Sequence, residues 1–516
     1  MNALLSAPLD RLLKDWWEGI DTAVKRAFFA AACVSVLAFG FEMTNLTLHH
    51  DDLNHLLVQK PLVGYYLGRF VHAWLFFYGQ QGHFVPFLDM TVGILLMCLY
   101  GVLVARFWGV RGSVDMALIA MVICVFPYMA YIYQYNSVMV AYPLAHLLAA
   151  AGVILATRAR PLSIALAALA FFTAFSIYQA VLANAATLFV IWLLTCTLRD
   201  EGLAPDALRR TARSAGSVLV AVVAGGLLHM LAVSSLNIPF DSAQGADQAF
   251  SVRDRLEHGL RLGHAAAAVL KGSRAFFFWP EAYMPPWLKL LHQAFVAGAA
   301  LCCLVLPRSL PAKVTALALL GLALLAPRAV QFLHPQANFH QLTLTAYALL
   351  IAASVMLILR TGRALVRNAT LLLSALLLAG YVMQCGWIST VNYLNTLAHY
   401  TTMTQILARL RSLPEQNWDG RTIAVVGSYD MPSNFPFKPA TGVATEFISP
   451  PHMNFLAELM RDEARFVRAD ASHPEVLRFA ATRRPWPSPD SVGVVDGIGV
   501  VVLSTAATPG SSDHSR

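Results

Sequence analysis

The feature that most constrains this chain is the alternation of long apolar segments with short basic gaps. An apolar run of about 20 residues can cross the hydrocarbon core of a bilayer as a helix. Only 13% of the 516 residues are charged, roughly half the share in a soluble domain. The pattern therefore predicts a mainly α, polytopic membrane protein. About eleven transmembrane helices are predicted, near residues 28–48, 84–105, 114–133, 137–156, 162–178, 180–198, 214–234, 287–306, 314–327, 341–359 and 369–389.

The basic residues lie in alternate gaps between these segments. They precede the first segment and follow the second, fourth, sixth, eighth and tenth segments. The short gaps that follow odd-numbered segments carry almost no charge. Because lysine and arginine accumulate in cytoplasmic loops, the N-terminus is predicted to be cytoplasmic and the C-terminus periplasmic, in a bacterial inner membrane. The same clusters account for the net charge of +8, so no nucleic-acid partner is predicted.

Composition also divides the chain into parts. Leucines and tryptophans recur at helical spacing among charges before the first segment, which is typical of a helix on a membrane surface. After the last segment the sequence becomes more polar and richer in proline. It predicts an amphipathic helix over 390–413, a short buried strand over 421–427, a helix over 451–465 and one or two strands over 492–504. The predicted parts are a cytoplasmic interfacial helix (1–27), a transmembrane domain (28–389) with periplasmic loops (49–83 and 235–286), a small periplasmic α/β domain (390–504) and a disordered tail (505–516).

The first outer loop carries two adjacent carboxylates, Asp51 and Asp52, just past the first apolar segment. A sugar transfer with inversion needs a carboxylate that takes the proton of the acceptor hydroxyl, on the face opposite the leaving phosphate. In a pair, one aspartate acts as the base while the other orients it or binds a cation, and either one fits the role of base. The alternative is an ordinary solvated pair of loop carboxylates.

Three histidines near this pair, His49, His50 and His55, raise the question of a metal site. Their spacing does not match a zinc-binding His-Glu-x-x-His motif, and no cysteine is near, so a tight transition-metal site is not predicted. Mg²⁺ or Mn²⁺ held loosely by the carboxylates is compatible with the pair. A lipid-phosphate donor does not strictly require either ion.

A donor that carries a phosphate on a lipid would have to be held by cations at the same membrane face. Arg69 and Arg328 are the preferred candidates, because the guanidinium fork matches phosphate oxygens, and Lys60 is a weaker one. The alternative for each single cation is an interfacial anchor whose charge reaches the lipid headgroups.

Polar and aromatic residues at further outer positions are predicted to bind the sugar or the acceptor. Aromatic rings offer a flat face for a sugar ring, and amides and imidazoles hydrogen-bond to hydroxyls. For any one of these residues the alternative is a turn within an aromatic belt. The candidates are Tyr135, Asn136, Tyr178, Gln179 and His340.

Four short motifs, taken in their order and topology, resemble the type II Gtr membrane glucosyltransferases, which are bacterial and phage-encoded enzymes that modify O-antigen. The resemblance covers roughly residues 28–400. The motifs are Asp51-Asp52 in the first outer loop, Gly68-Arg69 after an interfacial stretch, Tyr135-Asn136-Ser137 before the fourth segment and Ser176-Ile177-Tyr178-Gln179 between the fifth and sixth.

This resemblance implies a GT-C-type helical enzyme with a donor such as undecaprenyl phosphate glucose. It also implies a lipid-linked or lipopolysaccharide glycan as acceptor. Asp51 and Asp52 would be the catalytic carboxylates, and Arg69 would be a phosphate-binding or structural partner. The aspartates are followed by Leu53, where an aromatic residue is expected, and this difference leaves the identity of the base open.

The predicted function is that of an inverting glycosyltransferase. It would move a glucosyl or other hexosyl group from a polyprenyl-phosphate sugar to a bacterial surface glycan, such as lipopolysaccharide O-antigen, at the periplasmic face. The alternative is a transporter or flippase of a lipid-linked sugar, which predicts paired charges near mid-membrane and internal repeats. A third class, phosphoethanolamine or acyl transferases, needs a metal-bound nucleophile or a histidine in a buried tunnel, and neither pattern stands out.

Overall fold

The computed structural model describes residues 14–15, 17–48, 52, 67–199, 204–238, 262–307, 309–332, 340–413, 421–427, 429, 448 and 450–504. Helices dominate, as the apolar segments predict. Their bounds are α1 Thr22–Thr44, α2 Phe70–Trp74, α3 Pro86–Phe107, α4 Ser113–Cys124, α5 Tyr128–Tyr133, α6 Ala141–Ala156, α7 Pro161–Ile177, α8 Val181–Thr197, α9 Pro205–Ser235, α10 Leu262–Phe278, α11 Pro286–Val305, α12 Leu310–Leu325, α13 Tyr347–Leu359, α14 Ala364–Arg411, α15 Pro450–Leu459 and α16 Pro474–Ala481.

Within the described part of the chain, eight helical segments are long and apolar enough to cross a membrane. Each of the eleven predicted segments coincides with helical structure, three of them with the shorter helices α4, α7 and α8. The predicted polytopic helical fold is therefore confirmed. The eight candidate spans are Thr22–Thr44, Pro86–Phe107, Asn136–Ala156, Pro205–Ser235, Pro286–Val305, Leu310–Gln331, Gln341–Leu359 and Ala364–Arg411.

Prolines determine where several of these helices begin and end. Pro86, Pro161 and Pro286 each stand at the start of a helix, where a missing amide hydrogen removes no helical hydrogen bond. Pro127 lies between α4 and α5 and divides the single segment predicted over 114–133, because proline disfavours helical conformation in the residue before it.

The last membrane segment belongs to a helix of 48 residues, α14. The sequence predicted a span at 369–389 followed by a separate amphipathic helix. No proline occurs between Ala364 and Leu413, so nothing interrupts the backbone hydrogen bonds at the change in composition. At 1.5 Å per residue such a helix is about 72 Å long, which exceeds the thickness of a bilayer.

The described residues fall into two compact units. The first holds α1 to α13 and the part of α14 that ends at Trp387. The second holds the remainder of α14 and the C-terminal α/β elements. It also includes residues 45–48, Asp52 and residues 134–136, which come from the loops between membrane segments.

The second unit contains a four-stranded sheet formed by β1 Thr422–Val426, β2 Arg465–Arg468, β3 Val492–Val495 and β4 Ile498–Val502. The strand order is β2-β1-β4-β3, with β1 parallel to both neighbours and β3 antiparallel to β4. Asp496 and Gly497 join β3 to β4, both with positive φ, as a two-residue hairpin loop requires. The strands predicted near 421–427 and 492–504 are present, whereas β2 and α16 were not predicted.

Parts of some predicted regions lie outside the described residues. These include residues 1–13 of the interfacial helix, residues 239–261 of the second large loop and the tail at 505–516. Of the predicted interfacial helix, residues 17–19 are helical, and the Nζ atom of Lys25 lies 4.7 Å from the centre of the Trp17 ring.

Candidate active site

Asp52 is fully buried in the second unit, on a segment that follows α1. The Nδ2 atom of Asn136 donates one hydrogen bond to Oδ2 of Asp52, at 2.9 Å, and another to the carbonyl oxygen of Thr47, at 2.7 Å. Hydrogen bonding offsets the cost of removing a carboxylate from water. The structure thus brings two predicted site residues, Asp52 and Asn136, into direct contact. These three residues are called the Asp52 cluster below.

Arg69 lies in the first unit, at the N-terminal end of α2 and directly after Gly68, whose φ of 75° favours glycine. Its Nη1 donates to the hydroxyl of Tyr142 at 2.7 Å, and its Nε donates to Oε1 of Gln179 at 3.2 Å. Nε2 of Gln179 in turn donates to the carbonyl of Leu67 at 3.0 Å. The guanidinium is therefore held on two sides by neutral groups.

Two stacked tyrosine rings support this guanidinium. The rings of Tyr142 and Tyr178 lie 3.8 Å apart with an interplanar angle of 13°, and Cζ of Arg69 lies 5.3 Å from the centre of the Tyr178 ring. Aromatic faces attract cations through their quadrupole. The structure thus joins Arg69, Tyr178 and Gln179, all predicted, with Tyr142, which the sequence did not single out. These four residues are the Arg69 cluster.

A buried hydrogen-bond chain fixes the helix that carries Tyr142. Nδ1 of His146 lies 2.7 Å from the Tyr142 carbonyl, and Nε2 of His146 lies 2.9 Å from the Thr345 hydroxyl. A carbonyl only accepts, so Nδ1 carries the proton and Nε2 accepts from Thr345. Nδ2 of Asn184 donates to the same hydroxyl at 3.1 Å. The chain connects α6 and α8 with the segment that precedes α13.

The charge of Arg69 is not neutralised by these neighbours. Its partners are a hydroxyl, an amide and two aromatic rings, and no carboxylate within the described ranges forms an ion pair with it. The side chain is half-buried. A half-buried cation without an acidic partner favours the binding of an anion. A phosphate is an anion that the guanidinium fork fits.

Arg328 lies in a second aromatic environment within the first unit. Its Nε donates to the Tyr347 hydroxyl at 3.2 Å, and that hydroxyl donates to Oγ of Ser273 at 3.4 Å. The ring of Tyr347 stacks on Phe276 with 3.8 Å between centroids. The guanidinium lies against Gly272 of α10, where an added Cβ would overlap it. This arrangement is called the Arg328 cluster (Gly272, Ser273, Phe276, Arg328 and Tyr347).

Four predicted site residues are not part of these clusters. His340 is exposed at the start of the turn Gln341–Leu344, and Tyr135 is half-buried beside Asn136. Asp51 and Lys60 lie outside the described residues.

The possible Mg²⁺ or Mn²⁺ site lies at Asp51 and Asp52, and the structure describes only Asp52 of this pair. His49, His50 and His55 lie outside the described residues, as does Asp51. Elsewhere, over the ranges that the structure covers, no three histidine, cysteine, aspartate or glutamate side chains are grouped as metal ligands. Mg²⁺ or Mn²⁺ at the aspartate pair thus stays a prediction.

An ion pair that was not predicted from the sequence joins the segment after α10 to α11. Nζ of Lys289 lies 3.5 Å from Oε2 of Glu281, and the two side chains are 7% and 15% exposed. The Tyr128 hydroxyl lies 2.8 Å from each oxygen of the same carboxylate. Lys289 also donates to the carbonyls of Phe276 and Trp279, so this lysine orders the turn that presents Glu281.

One sequence signal could have revealed this pair. Glu281 is the single acidic residue between Glu257 and Glu415. A carboxylate isolated in so long an apolar region is costly unless it is paired. It directly follows Pro280 and the aromatic run at 276–279, a pattern that by itself indicates only a membrane interface.

Most of the helical region is similar to a known protein family. The family model described as "Glucosyl transferase GtrII" matches residues 40–404, a range that includes all three clusters. A search of curated proteins found no significant match.

Two similar solved structures are from Archaeoglobus fulgidus. The crystal structure of its oligosaccharyltransferase with zinc and sulfate is 11% identical, with a TM-score of 0.42, and the match covers 88% of this chain and 65% of that one. The oligosaccharyltransferase AglB in complex with an inhibitory peptide and a dolichol-phosphate is 12% identical, with a TM-score of 0.38, and the match covers 80% and 62%. The present chain thus spans slightly less than two thirds of each. The family model covers well over half of the sequence, and the chain belongs to the GtrII glucosyl transferase family.

Proposed function

We propose that the protein is an inverting glycosyltransferase that moves a glucosyl or related hexosyl group from a polyprenyl-phosphate sugar to a bacterial surface glycan such as lipopolysaccharide O-antigen. Family membership supports sugar transfer. The observation that carries the choice of donor is Arg69, a half-buried guanidinium with neutral partners and no acidic partner among the described residues. Such a cation fits the phosphate that links the sugar to its lipid.

In the proposed reaction a carboxylate of the Asp51/Asp52 pair accepts the proton of the acceptor hydroxyl. The acceptor oxygen forms a bond to the anomeric carbon of the sugar while the bond from that carbon to the phosphate oxygen breaks. The phosphate leaves with the bonding electrons, and attack from the opposite face inverts the configuration. Asp52 is the preferred base, because its carboxylate is held by Asn136.

The leaving polyprenyl phosphate gains negative charge as the bond breaks, and positive charge there lowers the barrier. Arg69 is the proposed main partner of this phosphate, with Arg328 and Lys60 as further candidates. Tyr178 and Gln179 adjoin Arg69 and are proposed to contact the donor sugar. Tyr135 and His340 are the further candidates for sugar or acceptor contacts.

The proposed location is the bacterial inner membrane, with the chemistry at its periplasmic face. The distribution of basic residues supports this orientation, since it puts the N-terminus in the cytoplasm and the acidic loop outside. A lipid-linked donor and a surface glycan acceptor meet at that face, and the bilayer itself holds the lipid tail of the donor.

The experiment is sugar transfer from radiolabelled polyprenyl-phosphate glucose to acceptor glycan in membranes that contain wild type, Asp51→Asn, Asp52→Asn or Arg69→Ala. We expect Asp52→Asn to abolish transfer. We expect Arg69→Ala to raise the KM for the donor by about 10- to 100-fold, which corresponds to the loss of a charge-assisted hydrogen bond. Parallel reactions with EDTA, with and without added Mg²⁺ or Mn²⁺, test metal dependence.

The matched control is Asp496→Asn, which removes a carboxylate from a hairpin loop where asparagine tolerates the positive φ as well as aspartate does. It should retain wild-type transfer. Full activity in both aspartate variants at normal protein abundance would contradict the proposed site. Transfer from a nucleotide sugar in place of the lipid donor would contradict the proposed substrate.

A further inference from the structure

We propose that Asn136 is a positioning residue for Asp52. The core of the C-terminal domain anchors the segment that carries Thr47 and Asp52, whose oxygen atoms accept the two hydrogen bonds of the Asn136 amide. This inference rests on the proposed function, since it takes Asp52 as the base. It gives the C-terminal domain a role in catalysis that is separate from any contact with the glycan.

The side chain of Leu48, one residue after Thr47, packs against the hydrophobic core of the second unit. That core is formed by the end of α14 with Met403 and Ile406, by β1 with Ile423 and Val425, and by further buried residues from α15, β2 and β4. The segment that leads to Asp52 is therefore attached to the folded core of the α/β domain.

A hydrogen bond joins this segment to Asn136. Nδ2 of Asn136 donates to the carbonyl of Thr47 at 2.7 Å, directly before the anchored Leu48. An amide nitrogen carries two hydrogens, and the second is donated to Oδ2 of Asp52 at 2.9 Å. The bonds link the domain core, through Leu48, Thr47 and Asn136, to the carboxylate.

The amide group of Asn136 has no hydrogen left to donate to a substrate. The side chain is 1% exposed, and both amide hydrogens are donated to protein acceptors. A residue that binds a sugar hydroxyl through its amide group would have to break one of these bonds. Orientation of a base contributes to the rate, because a carboxylate must face the hydroxyl it deprotonates. The contacts therefore favour positioning over substrate binding for Asn136.

The test is steady-state kinetics of purified full-length enzyme with the donor varied. Asn136→Asp keeps the size of the side chain and removes both donors. We expect kcat to fall at least tenfold while the KM for the donor stays within twofold of wild type. Leu48→Ala should also lower kcat. Its matched control, Leu459→Ala, truncates a leucine in the same domain that is 55% exposed and should leave kcat unchanged.

A swap variant, Asp52→Asn with Asn136→Asp, separates positioning from stability. The amide at position 52 can then donate one hydrogen bond to the carboxylate at position 136, so the melting temperature should return toward the wild-type value. Transfer should stay absent, because position 52 no longer carries a carboxylate. Recovery of transfer in the swap would overturn the proposal. If Asn136→Asp does not accumulate, Asn136→Ser, which keeps one donor on a shorter side chain, takes its place with the same expectation.

The two proposals fail in different ways. Wild-type transfer by Asp52→Asn would overturn the assignment of the base and the positioning role together. Loss of transfer in Asp52→Asn together with a wild-type kcat in Asn136→Asp would overturn the positioning role alone. A rise in donor KM with unchanged kcat in the Asn136 variants would also overturn it, and would assign Asn136 to substrate binding.

Discussion

The hydroxyl of Tyr142 accepts a hydrogen bond from Nη1 of Arg69 at 2.7 Å, although 73 residues separate them in the chain. The ring of Tyr142 also stacks on Tyr178, so one tyrosine contacts the guanidinium through its hydroxyl and supports the ring beside it. Nδ1 of His146, one helical turn later, donates a hydrogen bond to the carbonyl of Tyr142. The orientation of Arg69 is therefore determined by buried groups, and this preorganisation favours a ligand of fixed geometry such as phosphate.

Removal of this hydroxyl should weaken donor binding. In Tyr142→Phe the stacked ring stays and the hydroxyl that accepts the Arg69 hydrogen bond is lost. A hydrogen bond to a charged group contributes about 1.5 to 3 kcal/mol, so we expect the KM for the donor to rise by roughly tenfold or more with little change in kcat. The control is Tyr400→Phe, at a tyrosine that is 43% exposed. An unchanged KM would contradict the assignment of Arg69 to the donor phosphate.

Helix α10 permits a matched test of Arg328. A Cβ added at Gly272 would overlap the guanidinium, whereas a Cβ at Gly263 of the same helix meets nothing within 4 Å. Gly272→Ala should displace Arg328 and, if this residue binds the donor, raise the KM for the donor severalfold. Gly263→Ala should match wild type. Equal kinetics of both variants, with a displaced guanidinium in a structure of Gly272→Ala, would exclude Arg328 from donor binding.

The buried pair of Glu281 and Lys289 should be more important for stability than exposed pairs are. Removal of one partner from a buried ion pair leaves an uncompensated charge and costs about 3 to 5 kcal/mol. Glu281→Gln and Lys289→Met should each lower the melting temperature in detergent, and the double variant should be more stable than the sum of the two effects predicts.

The control for this pair is Glu18→Gln. It breaks the exposed pair of Lys14 and Glu18, whose side chains are 71% and 63% exposed, and such pairs contribute less than about 1 kcal/mol. Strict additivity of the Glu281 and Lys289 variants would show that the two side chains do not stabilise each other.

Arg409 connects the end of α14 to the loop before β3. Its Cζ lies 4.3 Å from the centre of the Trp486 ring, and its Nη1 donates to the carbonyls of Pro487 and Ser488 at 2.8 and 3.0 Å. Arg409→Ala should cost about 2 kcal/mol. Hydrogen exchange of the full-length protein should then accelerate in peptides from β1 and β4, with exchange in α6 unchanged. Wild-type protection in the strands would contradict this role.

The helical fold was predictable because each membrane helix must satisfy its own backbone hydrogen bonds within a run of apolar residues. Local chemistry explains the deviations. Pro127 breaks a predicted span, and the absence of a proline between Ala364 and Leu413 lets α14 continue through a change in composition. The short strand β2 has four residues with little alternation, too weak a pattern to recognise in advance.

The residue types of the candidate site were predictable, but their partners were not. Asp52 and Arg69 stood out as charges beside apolar segments. Asp52 and its partner Asn136 are 84 residues apart in the chain, and Arg69 and its partner Tyr142 are 73 residues apart. No periodicity in the sequence predicts such pairings. Tyr142 and His146 also lie inside an apolar segment, where aromatic residues are common, so nothing in the local pattern marked them.

The discontinuous make-up of the second unit has a consequence for enzyme engineering. Residues 45–48, Asp52 and residues 134–136 belong with the C-terminal elements, although most of the membrane domain separates them in the chain. A chimera that exchanged only the segment after α14 between two relatives would place Leu48 against a foreign core. Recombination that preserves activity should therefore transfer three separate stretches of sequence together, and natural exchange at a single crossover point would be selected against.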